Sequence, residues 1–243
     1  MDAMILAAGL GTRLRPLTHR VPKALVEVGG VPVLELVARR LIAAGADRLI
    51  VNVHHLGERV AEFVRERDGF GVPTELSREP GGAPLETGGG LLYAERHFRQ
   101  DAPFFVHNSD ILTDLPLESL YASHLDAREA LATLAVMERE SSRYLLFDDG
   151  GLLGWTNSES GESLRAREPR GEEERLAFTG VHVASPQLFG KITERGAFSI
   201  FTAYLRLVAE GERVLPFRVD GRDWTDIGDP RELARVRELA AGG

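Results

Sequence analysis

The stretch AMILAAGLGTRLRPLT, residues 3–18, places a short apolar run directly before a glycine-rich turn. The run 3–8 predicts a first buried strand. Gly9 and Gly11 let the backbone turn tightly and bring bare N–H groups close to a ligand. We therefore expect an α/β fold whose first strand ends at a ligand site, because such folds bind ligands beyond the carboxyl ends of their strands.

Short apolar runs alternate with helical patterns along the chain, which is typical of a mainly parallel sheet. Further strands are predicted at 48–53, 72–76, 103–107, 131–136, 144–147, 177–184 and 214–219. Helices are predicted at 34–44, 57–67, 88–98, 198–210 and 230–241. The polar segment 157–175 is expected on the surface. No linker or repeat interrupts the pattern, so a single domain over 1–243 is predicted.

The composition excludes several classes of protein and site. The chain has 243 residues, with 29 basic and 37 acidic side chains, a formal net charge of −8 and no cysteine. Net acidity argues against a general nucleic-acid binder, and the lack of cysteine excludes disulfides and thiolate chemistry. No apolar run has the length of a membrane span, and the start lacks the basic region of a signal peptide. We expect a cytoplasmic protein without a membrane or nucleic-acid partner.

A basic segment follows the first strand of this acidic chain. Residues 3–26 contain no acidic side chain, whereas Arg13, Arg15, Arg20 and Lys23 fall within eleven positions. Cations beside glycine N–H groups at a strand end favour the binding of phosphate. The segment therefore predicts a polyphosphate site.

Two common phosphate-binding motifs are excluded for this segment. A dinucleotide fingerprint would need glycine at position 14, where Leu14 stands, and the P-loop pattern is absent. The chain has only two lysines, Lys23 and Lys191. Because arginine is the usual cation of this chain, the lysine inside the basic segment is a candidate for a specific role.

Residues 6–18 and 22–25 together resemble the signature of the sugar-1-phosphate nucleotidylyltransferases. Segments 84–90, 108–110, 178–180 and 224–228 resemble further positions of that family in the same order. The segment 84–90, PLETGGG, is similar to the nucleotide-binding loop of the N-acetylmuramate-1-phosphate uridylyltransferase and mannose-1-phosphate guanylyltransferase branches. The resemblance covers nearly the whole chain.

The resemblance implies a Rossmann-like three-layer nucleotide-diphospho-sugar transferase fold, with a mainly parallel mixed sheet and helices on both faces. It implies a Mg²⁺-dependent enzyme that converts an NTP and a sugar 1-phosphate into an NDP-sugar and pyrophosphate. About 1–112 would bind the nucleotide, and about 113–243 the sugar phosphate. A monomer or a small homo-oligomer is expected.

The resemblance also implies roles for individual residues. Asp110 and Asp226, each beside a predicted strand end, are the expected Mg²⁺ ligands and, with Arg13 and Lys23, the expected catalytic residues. Lys23 would bridge the phosphates as a compact charge, and Arg13 would clamp the triphosphate. The residues expected to bind the nucleotide are Leu6, Ala8, Gly9, Gly11, Thr12, Arg13, Pro84, Glu86, Thr87, Gly88 and Asn108. The glycines 88–90 could equally serve the packing of a helix against the sheet.

The sugar-phosphate side departs from the family pattern. Where many relatives carry Glu-Lys-Pro, the position in register with the lysine holds Glu168, whose carboxylate would repel a phosphate. Arg143, Arg167 and Arg170 are the candidate substitutes. The residues expected on this side are Arg143, Glu168, Thr179 and Gly180.

Several functions stay open on the sequence. The segment 84–90 favours UTP; a guanylyltransferase for mannose or heptose 1-phosphate and a phosphocholine cytidylyltransferase are the enzymatic alternatives. A non-catalytic module that binds sugar nucleotides is an alternative of another class. A glycosyltransferase would use 108–110 as a degenerate metal motif, but the basic glycine turn is better suited to a triphosphate.

Overall fold

The structure is built on one mixed sheet and two small ladders. The computed structural model describes residues 1–241. The strands are β1 (Asp2–Leu6), β2 (Glu27–Val28), β3 (Val31–Pro32), β4 (Arg48–Val53), β5 (Thr74–Arg78), β6 (Phe104–Asn108), β7 (Ile111–Thr113), β8 (Ala130–Met137), β9 (Arg143–Asp148), β10 (Gly151–Asn157), β11 (Ser163–Arg165), β12 (Glu174–Ala184), β13 (Arg213–Arg218) and β14 (Trp224–Asp226). The helices are α1 (Val33–Ala43), α2 (Gly57–Glu66), α3 (Glu86–Tyr93), α4 (Leu117–Asp126), α5 (Gln187–Lys191), α6 (Ile200–Ala209) and α7 (Pro230–Ala241).

The main sheet has ten strands. Eight follow the order β11-β10-β9-β12-β6-β1-β4-β5, while β8 pairs with β12 and β13 pairs with β8. The ladders from β6 to β5 and the β8–β13 ladder are parallel. The ladders from β6 through β12 and β9 to β11, and the β12–β8 ladder, are antiparallel. Three of the four parallel ladders thus join strands of the first half of the chain, and the fourth joins β8 and β13 of the second half.

The first strand shows why the sheet is covered on both faces. Successive side chains of a strand point to opposite faces. Ala3 and Ile5 lie in one core with residues of α1, α2 and α4, and Met4 lies in a second core with residues of α3, α5 and α6. All three side chains are fully buried. A strand buried on both sides needs an uninterrupted apolar run, and the predicted α/β fold with helices on both faces is confirmed.

Most elements lie where the apolar runs predict them. The strand at 48–53 and the helix at 230–241 have the predicted bounds. The strand predicted at 72–76 begins only at Thr74, after Pro73, which lacks the N–H that a ladder needs. The helices α4 and α5 were not expected, and the surface segment 157–175 contains the short exposed strand β11, which pairs with β10.

The carboxyl ends of β1, β4 and β6 lie along one edge of the sheet, where the site is built. After β1 the chain forms short 3₁₀ turns at Thr12–Leu14, Leu17–His19 and Lys23–Leu25 and returns to this edge. Within residues 1–241, no helix is both long enough and apolar enough to cross a bilayer.

Candidate active site

Asp110 and Asp226 are brought together by a short ladder at the edge of the sheet. Asp110 follows β6, and Asp226 ends β14, which pairs with β7 so that Asp226 lies opposite Ile111. The backbone N–H of Ile227 donates to the carbonyl oxygen of Asp110 at 2.9 Å. Two carboxylates that are far apart in sequence are therefore brought close together at this end of the sheet.

Lys23 and Arg13 supply cations to these carboxylates. Lys23 Nζ pairs with Asp110 Oδ2 and lies 4.0 Å from Asp226 Oδ1, and Arg13 Nη2 lies 3.1 Å from Asp226 Oδ2. The side chain of Lys23 is 12% exposed, whereas that of Arg13 is 61% exposed. Lys23 is thus held between the carboxylates, whereas the side chain of Arg13 is exposed enough to reorient toward a ligand. The structure brings together the four residues that the sequence predicts to be catalytic.

Two glycines allow this close arrangement. The N–H of Gly228 donates to Asp226 Oδ1 at 2.8 Å, and a Cβ at this position would collide with Lys23 Nζ. Gly11 has a left-handed φ of 62°, and its carbonyl accepts from the hydroxyl of Thr18 at 2.7 Å. Gly228 and Thr18 are not among the expected site residues. For Gly228 the available signal was its place in the family-like segment 224–228.

A cavity of about 220 Å³ lies beside the carboxylates and is called the small cavity here. Lys23, Asn52 and Asp110 line it. The residues expected to bind the nucleotide that also line it are Leu6, Ala8, Gly9, Gly11, Pro84, Glu86, Thr87 and Asn108. Thr12 is exposed on the neighbouring 3₁₀ turn. The glycine turn and the segment 84–87, distant in sequence, therefore form opposite parts of one cavity.

Gly88 is expected to bind the nucleotide, but the structure places it in packing contacts and outside the lining of the small cavity as described. It lies inside α3, its N–H donates to the carbonyl of Phe198 at 2.9 Å, and a Cβ would collide with the Phe198 ring. A Cβ at Gly89 would likewise collide with the carbonyl of Gly196, and one at Gly90 would lie 2.8 Å from Glu79 Oε1. The helix α3 begins at Glu86, before these glycines, and their missing side chains let it approach its neighbours closely.

Glu79 ties the segment 84–87 to the sheet, a role not expected from the sequence. This largely buried carboxylate accepts from Asn52 Nδ2 at 2.9 Å and from the backbone N–H of Leu85 at 2.7 Å. Asn52 lies in β4 and lines the small cavity. A carboxylate that accepts a backbone N–H and an amide is satisfied despite its burial.

A second cavity of about 940 Å³, called the large cavity here, adjoins the small one. Leu6, Thr87 and Asn108 line both cavities, so the two lie side by side. Aromatic and aliphatic side chains form much of the wall of the large cavity; they include Tyr144, Leu145, Trp155, Phe178, Phe201 and Leu205. Its lining also contains Arg139, Arg143, Arg165 and Arg206. The wall of this cavity is therefore largely apolar, and, among residues 1–241, the Asp, Glu, Lys and Arg side chains that line it are all arginines.

Only some of the residues expected to bind the sugar phosphate lie at the large cavity. Arg143 lines the large cavity. Gly180, with φ of 88°, lies beside it, since a Cβ there would be 2.9 Å from Asn108 Nδ2. The hydroxyl of Thr179 is buried and donates to the carbonyl of Ala135 at 2.9 Å. Thr179 thus has a structural partner rather than a free group for a ligand.

Glu168, which is expected on the sugar-phosphate side, is not placed with these residues by the structure. It is exposed and is absent from the lining of both cavities among residues 1–241. Arg167 is held by Asp148, whose side chain is fully buried, and that ion pair, with backbone hydrogen bonds, keeps the pKa of Asp148 well below its usual range. The backbone N–H of Arg170 also donates to Asp148. The segment 167–170 is therefore fixed to the β9–β10 turn, so neither arginine is placed to replace the missing lysine.

The donor set at the carboxylates is of a kind that Mg²⁺ takes. Magnesium binds hard oxygen ligands and in nucleotide enzymes is held by one or two carboxylates, with phosphate oxygens and water as the rest. Asp110 and Asp226 supply two such carboxylates, both near Lys23, and Asp110 lines the small cavity. In the part of the chain that the structure describes, no group of three or more His, Cys, Asp or Glu side chains gathers as a protein-only metal cage. The site thus fits a cation shared with a phosphate ligand.

Comparisons with known proteins agree with this geometry. Residues 2–241 match the family model described as Nucleotidyl transferase. The chain is 34% identical to the N-acetylmuramate alpha-1-phosphate uridylyltransferase of Caulobacter vibrioides, over 98% of this chain and 96% of that protein. It is 31% identical to the mannose-1-phosphate guanyltransferase of Gibberella zeae, over 96% of this chain but only 62% of that longer protein.

A solved structure shows the same fold. The inositol-1-phosphate CTP transferase of T. maritima matches with a TM-score of 0.76 and 21% identity, over 99% of this chain and 94% of that one. The family match over nearly all residues and the two sequence relatives confirm the resemblance drawn from the motifs. The chain therefore belongs to the nucleotidyl transferase family and is an enzyme of the sugar-1-phosphate nucleotidyltransferase type.

Proposed function

We propose that the protein transfers a uridylyl group from UTP to the phosphate of a sugar 1-phosphate and releases pyrophosphate, with Mg²⁺ as its cofactor. The observation that carries the proposal is the meeting of Lys23, Arg13, Asp110 and Asp226 beside the small cavity, which Lys23 and Asp110 line. Asn108, two residues before Asp110, lines both the small and the large cavity, so the large cavity adjoins this site. Such a junction suits a reaction that joins two phosphorylated substrates.

The small cavity would hold the nucleotide. The N–H groups of the turn at Gly9 and Gly11 face a triphosphate that enters beside Lys23. The segment 84–87, anchored by Glu79, would contact the base and ribose. The exposed guanidinium of Arg13 can close on the β- and γ-phosphates with its planar fork.

The large cavity would hold the sugar 1-phosphate so that its phosphate reaches the junction. An oxygen of that phosphate attacks the α-phosphorus of UTP, a new P–O bond forms, and the bond to the leaving pyrophosphate breaks in line. No protein nucleophile takes part. Lys23 and Arg13 stabilise charge on the phosphates during this exchange.

Asp110 and Asp226 would hold Mg²⁺, which when bound neutralises phosphate charge and orients the α-phosphate. Lys23 pairs with Asp110 and lies 4.0 Å from Asp226, which supports a cation position between the two carboxylates. When the substrates and the metal are bound, we propose that the ammonium of Lys23 turns to the phosphates.

Support for UTP comes from sequence similarity. The relative from Caulobacter vibrioides is a uridylyltransferase and matches this chain over almost the full length of both proteins. The guanyltransferase relative is 31% identical, so GTP with mannose or heptose 1-phosphate is the first alternative. A phosphocholine acceptor fits poorly because Arg139 and Arg143, which line the large cavity and form no salt bridge among residues 1–241, would repel its quaternary ammonium.

The walls of the large cavity support an acceptor with an apolar or acylated substituent. A bare hexose presents mainly hydroxyl groups, whereas this wall is rich in aromatic and aliphatic side chains. N-acetylmuramate 1-phosphate, the substrate in the name of the 34% identical relative, has such substituents.

The test is a matrix of the four NTPs against sugar 1-phosphates and phosphocholine, with pyrophosphate release as the readout. We expect the fastest release with UTP and an N-acylated sugar 1-phosphate, and no release after chelation of the metal. Fastest release with GTP, or with CTP and phosphocholine, would contradict the proposed substrates. Binding of UDP-sugars without turnover of any pair of NTP and acceptor would favour the non-catalytic module that binds sugar nucleotides.

A further inference from the structure

We propose that Arg139 binds the phosphate of the acceptor, in place of the lysine that many relatives supply from a Glu-Lys-Pro. The proposal rests on the proposed function, because it assumes that the phosphate of the acceptor reaches the junction of the two cavities. Arg139 was not expected from the sequence, where it stands between two glutamates.

Among residues 1–241, no carboxylate forms a salt bridge with Arg139, whose contacts are with an aromatic ring and backbone carbonyls. Its guanidinium carbon lies 3.8 Å from the centre of the Trp224 ring, which holds the group by a cation–π contact. Nη2 donates to the carbonyl of Phe178 and Nη1 to that of Glu140, both at 3.1 Å. Nε is buried and has no acceptor among the described residues. The guanidinium therefore keeps N–H donors that are not hydrogen-bonded, and the acceptors that it does bind are uncharged carbonyl oxygens.

The other cations of the large cavity differ from Arg139. Arg165 pairs with Glu173, and Arg206 pairs with Glu194 and Glu210. Arg143 is exposed to solvent. Arg139 is more buried, and this burial lowers the pKa of its guanidinium, while the nearby charge of Asp226 opposes that shift. Arginine nevertheless stays protonated in proteins, so a partly buried positive charge faces the cavity without a fixed anion.

The position of Arg139 suits the phosphate of the acceptor. It lines the large cavity, and the Trp224 ring beneath it belongs to β14, two residues before Asp226. Trp224 is itself fixed, because its Nε1 donates to the carbonyl of Thr179 at 2.8 Å. An anion at the edge of this guanidinium would lie between the sugar and the carboxylate site. A stacked guanidinium keeps its edge free for the forked hydrogen bonds that phosphate accepts.

The experiment compares Arg139→Gln, Arg139→Lys and the matched control Arg170→Gln, an exposed arginine of the segment where the family lysine is expected. Pyrophosphate release is measured on the full chain with UTP and the best sugar 1-phosphate of the matrix. We expect Arg139→Gln to raise the KM for the sugar 1-phosphate roughly tenfold to hundredfold, the effect of losing a charge-assisted hydrogen bond. The KM for UTP should stay within about twofold, Arg139→Lys should fall between wild type and Arg139→Gln, and Arg170→Gln should match wild type.

A purely structural role makes a different prediction. If Arg139 only packs on Trp224, Arg139→Gln lowers the melting temperature and leaves the KM for the sugar 1-phosphate unchanged, or raises both KM values alike. Either result would overturn the assignment.

Calorimetric titration of the sugar 1-phosphates without UTP separates this inference from the proposed function. A wild-type chain that binds a sugar 1-phosphate but never releases pyrophosphate would refute the proposed reaction; weaker binding by Arg139→Gln would still support the assignment. Equal binding by Arg139→Gln and wild type would refute the assignment alone. No pyrophosphate release by wild type with UTP, together with no binding of any sugar 1-phosphate in the absence or presence of UTP, would overturn both.

Discussion

Lys23 is the residue around which the carboxylates of the site are arranged. Its ammonium touches Asp110 and lies near Asp226, and Gly228 leaves the space that it fills. Lys23, Asp110 and Asp226 could be predicted because each stands in a local family-like segment. Arg139 could not, because the groups that hold it, Trp224 and Phe178, are distant in sequence and meet it only in the fold.

At the residue scale, Gly228→Ala should impair catalysis and spare the fold. The new Cβ would occupy the position of Lys23 Nζ. Because that atom ends a flexible side chain, Lys23 can move aside at little cost to stability, but it then leaves its place between the carboxylates. We expect kcat to fall roughly tenfold to hundredfold, as for other misplaced catalytic groups, with the melting temperature nearly unchanged.

The matched control is Gly190→Ala in α5, where a Cβ would meet no atom within 4 Å. It should keep the wild-type rate of pyrophosphate release. A Gly228→Ala variant with wild-type kcat would show that the position of Lys23 does not matter.

At the element scale, the segment before α3 depends on the strand beside it. Glu79 follows β5 and accepts from Asn52 of β4 and from the N–H of Leu85. The glycine run 88–90 indicated a special local structure but not its kind. Whether such glycines meet a ligand or a neighbouring backbone depends on Phe198 and Gly196, which the local sequence does not contain.

Glu79→Ala should weaken nucleotide binding selectively. The segment 84–87 would lose its anchor, and Asn52 would lose a buried acceptor. Loss of such hydrogen bonds costs about 1–3 kcal/mol, so we expect the KM for UTP to rise roughly fivefold to hundredfold. The KM for the sugar 1-phosphate should change little, since Glu79 does not line the large cavity as the structure describes it.

Glu79→Gln keeps one acceptor oxygen and should lie between Glu79→Ala and wild type. Glu95→Ala, a substitution of an exposed glutamate, is the control and should match wild type. Equal rises in both KM values for Glu79→Ala would point to general unfolding rather than to a lost anchor.

At the scale of the whole molecule, the parallel part of the sheet was easier to predict than the antiparallel part. Strands buried on both faces form continuous apolar runs, which the sequence displays directly. The antiparallel strand β12 pairs with β6, β8 and β9, and the separate ladder of β7 with β14 places Asp226 beside Asp110. These pairings join residues far apart in sequence, so no local pattern reports them.

Buried histidines should make the stability depend on pH. Burial lowers the pKa of His107 and His124 to about 4 and that of His182 to about 3, from an ordinary value of 6.5. As the pH falls below that ordinary value, the unfolded chain takes up protons first, so folding stability is lost. We expect a loss of about 1–2 kcal/mol per histidine between about pH 7 and about pH 5, measured by urea unfolding.

His124→Gln is the matched variant, because glutamine can still bond Thr133 and Ser185, the partners of the histidine ring. Its stability should fall less than that of wild type over the same pH range. Equal stability of the wild-type chain at the two pH values would show that these histidines are not held neutral.

The central claim is that nucleotidyl transfer takes place where Lys23, Asp110 and Asp226 meet. Its most direct test is the rate of pyrophosphate release from UTP, sugar 1-phosphate and Mg²⁺ by Asp110→Asn, beside the exposed control Asp126→Asn. The loss of a charge that we propose holds the cofactor should lower the rate at least about a hundredfold, with an unchanged melting curve and a normal rate for the control. Release at the wild-type rate by Asp110→Asn would contradict the account.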